Sequence, residues 1–380
     1  MRRPFAHHDH PREIIRQFTP NWFTVTMGTG VLALALNQFP GGGALCHATG
    51  AILWLGNIVL FALCTLLYAA RWIFFPAAAM PIFRHPVMPM FLGAIPMGLA
   101  TIINGYIVFG TPNFAIALGL WWLDAALAVG TGLLVPYLMF TRQNHSIESM
   151  TAVWLLPIVP AEVTAASGAL LAPHLAGAAA AHLLVLCYGL WAFSVPLALG
   201  ILVILFLRLV LHKLPKRDMA VSSWLALGPL GTGALGLILM GKDAPAAFGA
   251  IGLAGIGQVA NGIGLIGGMM FWAYGAWWLC MAAAITLSYV KEGLPFNMGW
   301  WGFTFPLGVY TLATLALARQ TGIAAFSVAG AIMVVALLGF WIIVALRTAA
   351  GGYRGHLFVA PCLVTGQVLS PETGLTTWPG

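Results

Sequence analysis

Two carboxylates lie where a chain this apolar can least afford them. Glu162 sits inside LLPIVPAEVTAASG (155–168) and Asp124 inside LWWLDAAL (120–127). An ionisable group within an apolar span is costly to keep there and is a functional candidate by default. Glu162 could carry a proton, or it could be held protonated and bond carbonyls freed by Pro157 or Pro160. Asp124 fits better as a polar tie between helices. A third candidate is steric. WWGFTFPLGVYTLATLALA (300–318) is long enough to cross a bilayer, yet it places Phe305 and the helix breaker Pro306 near its middle.

Metal and nucleophile chemistry find little support. His7, His8 and His10 could bind a metal, although a polar tail explains them as well. His182 is the one histidine well inside a span, and neither HExxH nor GxSxG occurs. Five cysteines without a CxxC imply neither a disulfide framework nor a zinc site. The expectation is therefore no cofactor, no metal and no enzyme. A membrane scaffold without conduction, or a cofactor-binding membrane enzyme, are the weaker alternatives.

The elements that must position these residues follow from composition. The chain has 380 residues, 61% hydrophobic and 7% charged, with a mean hydropathy of +0.95. Soluble domains carry about 25% charged residues, so this is a polytopic membrane protein. Ten apolar spans are expected, at 20–39, 50–71, 86–109, 116–140, 150–171, 177–211, 219–241, 262–290, 295–318 and 322–347. The Gly/Ala-rich stretch 244–261 reads as re-entrant or external. Residues 1–19 form a polar N-terminal segment without a signal-peptide core, with an interfacial helix over 11–18. The ten-helix domain covers 20–348, and 349–380 form a tail.

With the N-terminus inside, fourteen of the sixteen Lys and Arg fall on the cytoplasmic side, and only Lys242 and Arg319 fall outside. That bias predicts both termini in the cytoplasm of an inner (plasma) membrane protein. It also explains the net charge of +7 through an anionic leaflet, without nucleic acid.

The odd-numbered spans share a weak point about ten residues (~15 Å) from their cytoplasmic start. It falls at Gly28 and Gly30 in the first, Pro96 in the third, and Pro157 and Pro160 in the fifth. It falls at Gly228 and Pro229 in the seventh and at Pro306 in the ninth. The even spans lack this regularity. Broken backbone at membrane depth is tolerated where it is buried in protein or lines a cavity. Five odd helices kinked at one level therefore predict an inner ring around a pore, with the even helices outside: five hairpins in quasi-fivefold array. Thr24, Thr26, Thr29, Thr101, Thr164, Thr232 and Thr304 cluster near the breaks as candidate pore-wall hydroxyls, with close packing as the competing role. No Lys or Arg lies deep in a span, which suits weak binding and conduction.

NWFTVTMGTGVLALAL (21–36), LLPIVPAEVTAASG (155–168) and WWGFTFPLGVYTLATLAL (300–317) resemble the tellurite-resistance/dicarboxylate transporter family. That family includes the bacterial tellurite-resistance protein, the plant slow anion channels, and the fungal malate permease and sulfite pump. The resemblance covers about residues 19–350, and the TFP motif is its most specific part. It implies ten helices in five hairpins, a homotrimer with one pore per protomer, and a phenylalanine plug. By motif that plug falls on Phe305, with Phe303 the second choice. The implied substrates are small anions: chloride, nitrate, sulfite or a C4-dicarboxylate. Glu162 in the fifth span is closer to the fungal branch, where a proton-coupled permease working by alternating access is the alternative to a channel.

Overall fold

The structure, a computed structural model, describes residue 7, residues 10–110 and residues 113–363. It is all-α, with no strand among the described residues. Among the described residues ten main helices follow one another: α1 (Thr24–Asn37), α2 (Gly43–Phe74), α3 (Ala94–Phe109), α4 (Phe114–Thr141), α5 (Pro160–Leu171), α6 (Ala178–His212), α7 (Leu227–Gly249), α8 (Ala254–Val290), α9 (Phe305–Thr321) and α10 (Ala324–Arg354). A short helix, Arg12–Arg16, precedes them inside the expected interfacial segment. His8 lies outside the described residues. Eight of the ten are long and apolar enough to cross a membrane once their leading turns are included. The other two, α1 with 14 residues and α5 with 12, are shorter and almost wholly buried.

Each even helix packs against the odd helix before it, and the odd helices close a ring: α1 touches α3, α3 touches α5, α5 touches α7, α7 touches α9, and α9 returns to α1. Burial separates the two sets. In α9, 94% of the most apolar stretch is buried, against 17% in α8. The odd helices are the inner ring and the even helices its lipid-facing jacket.

Lipid is as apolar as leucine, so apolar burial alone does little to hold such helices together; close packing and hydrogen bonds must. Each outer helix carries one tryptophan whose indole N–H reaches the inner helix of the following hairpin. Trp54 donates to Ile102 O (3.1 Å), Trp121 to Thr164 O (2.9 Å) and Trp191 to Gly233 O (3.1 Å). Trp272 donates to Thr314 Oγ1 (2.8 Å), and Trp341 closes the circle on Thr29 Oγ1 (3.0 Å). At roughly 0.6 kcal/mol per interhelix bond, five such latches contribute about 3 kcal/mol and fix the order of the hairpins.

Two expected boundaries are corrected. The stretch 244–261 is not a separate re-entrant segment: α7 runs through it to Gly249, and α8 starts at Ala254. Gly257 in this stretch, and Gly264 just beyond it, let the backbones of α7 and α8 approach closely. A Cβ on Gly257 would lie 2.6 Å from Ala244 O, and one on Gly264 2.5 Å from Leu237 O. At the other end, α10 continues past residue 348 to Arg354, so the tail begins later.

Candidate functional site

Every inner helix is entered through a tighter coil. The 3-10 segments Pro20–Phe23, Met88–Gly93, Ala152–Leu155, Arg217–Ala226 and Met298–Phe303 precede α1, α3, α5, α7 and α9. The sequence dictates this locally. Proline has no N–H, so it suits the first turn of an α-helix, where that donor has no intrahelical partner. Pro96, Pro160, Pro229 and Pro306 all fall in that first turn. They therefore open helices instead of kinking them, which corrects the expected mid-helix breaks; Pro157 lies in the turn before α5, and Gly228 is the second residue of α7. Gly28 and Gly30 are not at a break at all, because α1 runs unbroken across both. Their smallness seats neighbours instead: a Cβ on Gly28 would lie 2.2 Å from Thr304 Oγ1, and one on Gly30 2.0 Å from Thr101 Oγ1.

The five entries enclose a cavity of about 430 Å³. Its wall reaches no farther than Met27 on α1, Phe91 before α3, Leu156 before α5, Leu225 before α7, and Phe305 and Pro306 on α9. Polar groups in the wall are Asn21, Thr24, Ser222, Asn297, Asp218 and His356, and no Lys or Arg is among the lining residues. The guanidinium of Arg347 lies over Trp300 and over the lining residue Phe296, at 5.1 and 5.9 Å. All five inner segments start at this cavity, so their positive dipole ends gather around it.

The two phenylalanines divide clearly. Phe305 is buried and faces the cavity. Phe303 does not line it: its ring stacks on Phe340 at 4.9 Å and meets Trp224 edge-on at 5.3 Å and Trp300 at 5.7 Å.

Of the candidate hydroxyls Thr24 lines the cavity, together with Ser222, and the other six lie in the seams between helices. Thr26 donates to Phe23 O and Thr304 to Trp301 O, backbone carbonyls where the coil passes into the helix. Thr29 accepts from Trp341, and Thr101 accepts from Asn57 Nδ2 at 3.2 Å while donating to Gly98 O at 2.7 Å.

Both buried carboxyls join threonine relays. Thr164 Oγ1 lies 2.6 Å from Asp124 Oδ2 and 3.0 Å from Pro160 O. Thr232 Oγ1 lies 2.6 Å from Glu162 Oε1 and 2.7 Å from Gly228 O. One hydroxyl proton cannot serve two acceptors. A protonated carboxyl donating to threonine, which donates to the carbonyl, satisfies both contacts. Asp124 thus ties α4 to α5, and Glu162 ties α5 to α7. In each, the second oxygen has no partner, Asp124 Oδ1 and Glu162 Oε2.

Just before the Met88–Gly93 coil, next to the lining residues Val87 and Met88, stands a loop imidazole. His85 Nδ1 accepts N–H bonds from Val87 and Met88, both at 3.1 Å, at the start of the Met88–Gly93 coil. Burial holds this imidazole below its ordinary 6.5. A group whose folded value is depressed binds its proton more readily unfolded, so stability is full above the ordinary value and falls as pH drops below it. Melting curves should show acid destabilisation starting below about pH 6.5 that His85→Asn, with an oxygen acceptor that does not titrate, largely removes. Equal acid sensitivity in both proteins would contradict this role.

Among the described residues no group of three metal-ligating side chains occurs. His7 lies edge-on to His356 at 5.9 Å, and all five cysteines are free.

Comparison with known proteins agrees with this geometry. The profile of the voltage-dependent anion channel family matches residues 17–349. The sulfite efflux pump of Trichophyton rubrum is 38% identical over 356 residues, covering 90% of this chain and 93% of the pump. An uncharacterized transporter of Methanocaldococcus jannaschii is 30% identical, covering 90% of this chain and 97% of that protein. The malic acid transport protein of Schizosaccharomyces pombe is 23% identical, covering 87% of this chain and 77% of its own length.

Proposed function

The chain belongs to the voltage-dependent anion channel family, and on that footing we propose that it passes small anions, sulfite foremost, through the inner ring, with Phe305 as the gate. The carrying observation is the cavity where five inner helices begin, bounded by Phe305. Helix ends, amides and hydroxyls attract an anion there without the tight clamp that a lining arginine would impose. Sulfite leads because a sulfite efflux pump is similar over nearly the whole chain; malate, chloride and nitrate follow. The basic residues gather at the cavity end of the molecule, which supports a cytoplasmic mouth and outward passage. Ten membrane-crossing helices, an inner-membrane location argued from the basic-residue bias and a homotrimer taken from the family resemblance complete the proposal.

The test is anion efflux from proteoliposomes of the purified protein, with sulfite, malate, chloride and nitrate compared. Sulfite should pass fastest. No passage of any anion, in the wild type or with Phe305 removed, would overturn the proposal.

A second proposal is proton-coupled carriage through Glu162, favoured by its unpartnered Oε2 in a buried seam. Glu162→Gln separates the two. Its amide can still donate to Thr232, so fold and flux should survive with at most about 1 kcal/mol lost. If the variant stays folded but loses uptake driven by a proton gradient, coupling replaces passive passage.

A further inference from the structure

At the end of α10 the chain does not leave the molecule. Gly355 takes φ +88°, a left-handed cap that turns the backbone sharply. Residues 356–363 then run back across the cavity. From Leu357 to Cys362 burial alternates residue by residue, through a turn, a short irregular stretch and a last helical turn that starts at Pro361. Leu357, Val359 and Pro361 face the cavity, while Phe358, Ala360 and Cys362 are buried.

The buried face is anchored on the N-terminal wall. Phe358 stacks on Trp22 at 4.6 Å and 17°. The Ala360 N–H donates to Gln17 Oε1 at 2.8 Å. Arg71 lies 3.5 Å from Cys362 Sγ. Arg71 is fully buried, and among the described residues no carboxylate pairs with it; its other bonds go to Phe18 O and Ala78 O. A buried guanidinium without a counter-charge gains from water when the strap lifts. Ring contacts of Phe358 with Trp22 and Phe18, the Ala360 hydrogen bond and the Arg71–Cys362 sulfur contact are among the anchors of the strap, on a site where release hydrates a charge.

We propose that residues 355–363 are a lid over the mouth of the cavity, and that its release is a regulatory step for anion passage. The proposal rests on the cavity being the anion pathway, and it assigns the tail a function separate from the Phe305 gate. With both in place, two barriers lie in series: the lid at the mouth and the ring at the inner end.

Cys362 is a native reporter. In the full chain with Cys46, Cys64, Cys187 and Cys280 replaced by alanine, it is the sole thiol. A polar, membrane-impermeant maleimide is applied to proteoliposomes, and sulfite flux is measured in the Phe305→Ala background so that the ring no longer limits. Phe358→Ala removes the stack and Gln17→Ala removes the hydrogen bond, so each shifts the lid toward its released state. Each should speed labelling of Cys362 and raise flux at least about threefold over Phe305→Ala alone, with melting unchanged. Faster labelling with flux equal to Phe305→Ala alone would overturn the lid and leave the pathway standing. Unchanged labelling in both anchor variants would also overturn the lid, since the strap then does not lift. Absence of flux in Phe305→Ala itself would overturn the pathway and the lid with it.

Discussion

Phe305→Ala should raise sulfite flux by about tenfold or more, a lowering of the barrier by about 1.4 kcal/mol. The ring lies at the start of α9 against the cavity, so truncating it widens a space that already exists. Its stability cost should fall below the roughly 3–5 kcal/mol typical of Phe→Ala in a packed core. Phe303→Ala is the matched control. Its ring stacks between Phe340 and Trp224, so it should incur that full loss in melting and leave flux per folded molecule unchanged. The two residues are neighbours in sequence and equally buried, at 3% exposure each. Only their surroundings separate them, and a swap of the two outcomes would move the gate to Phe303.

The second large effect concerns the glycine that ends the Met88–Gly93 coil. A Cβ on Gly93 would lie 2.0 Å from Leu156 O and 2.8 Å from its carbonyl carbon. Both are backbone atoms of the neighbouring entry coil, so no side-chain rotation relieves the clash. Gly93→Ala should destabilise by about 3 kcal/mol or more, at the upper end of overpacking costs, and should lower the yield of folded protein. Gly228→Ala is the contrast. Nothing lies within 4 Å of a Cβ there, so it should be neutral or slightly stabilising, because alanine suits a helix better than glycine. Thermal melting in detergent distinguishes the two, and similar melting of both variants would contradict the packing described.

Why some of this was legible in the sequence and some was not comes down to which residues have local consequences. Proline acts on its own backbone, so Pro96, Pro160, Pro229 and Pro306 stand out in the odd spans from sequence alone. Their meaning was misjudged because proline in the first turn of a helix and proline at a kink look alike until the preceding coil is seen. Gly28 and Gly30 misled for the opposite reason: their role is set by Thr304 and Thr101 on other helices. Asp124 and Glu162 announced themselves by charge, but their threonine partners came from segments far along the chain. The tryptophan latch left a signal that was passed over. Each even span carries one mid-helix Trp preceded by Leu or Phe: Trp54, Trp121, Trp191, Trp272 and Trp341. The lid left none, because the Gly/Pro/Thr-rich tail has no helical period and its partner Gln17 is 343 residues away.

The most direct test of the central claim, that anions cross through the ring past Phe305, is side-specific block. Leu225 lines the cavity and is partly exposed. In a Phe305→Ala chain with the five native cysteines replaced, Leu225→Cys places one thiol on the pathway wall. A charged, membrane-impermeant thiol reagent is added from the mouth side while sulfite flux is recorded. Passage through the ring predicts that flux collapses as the thiol is modified and returns on reduction. Complete modification with flux unchanged would contradict it, and would place the anion route outside the ring.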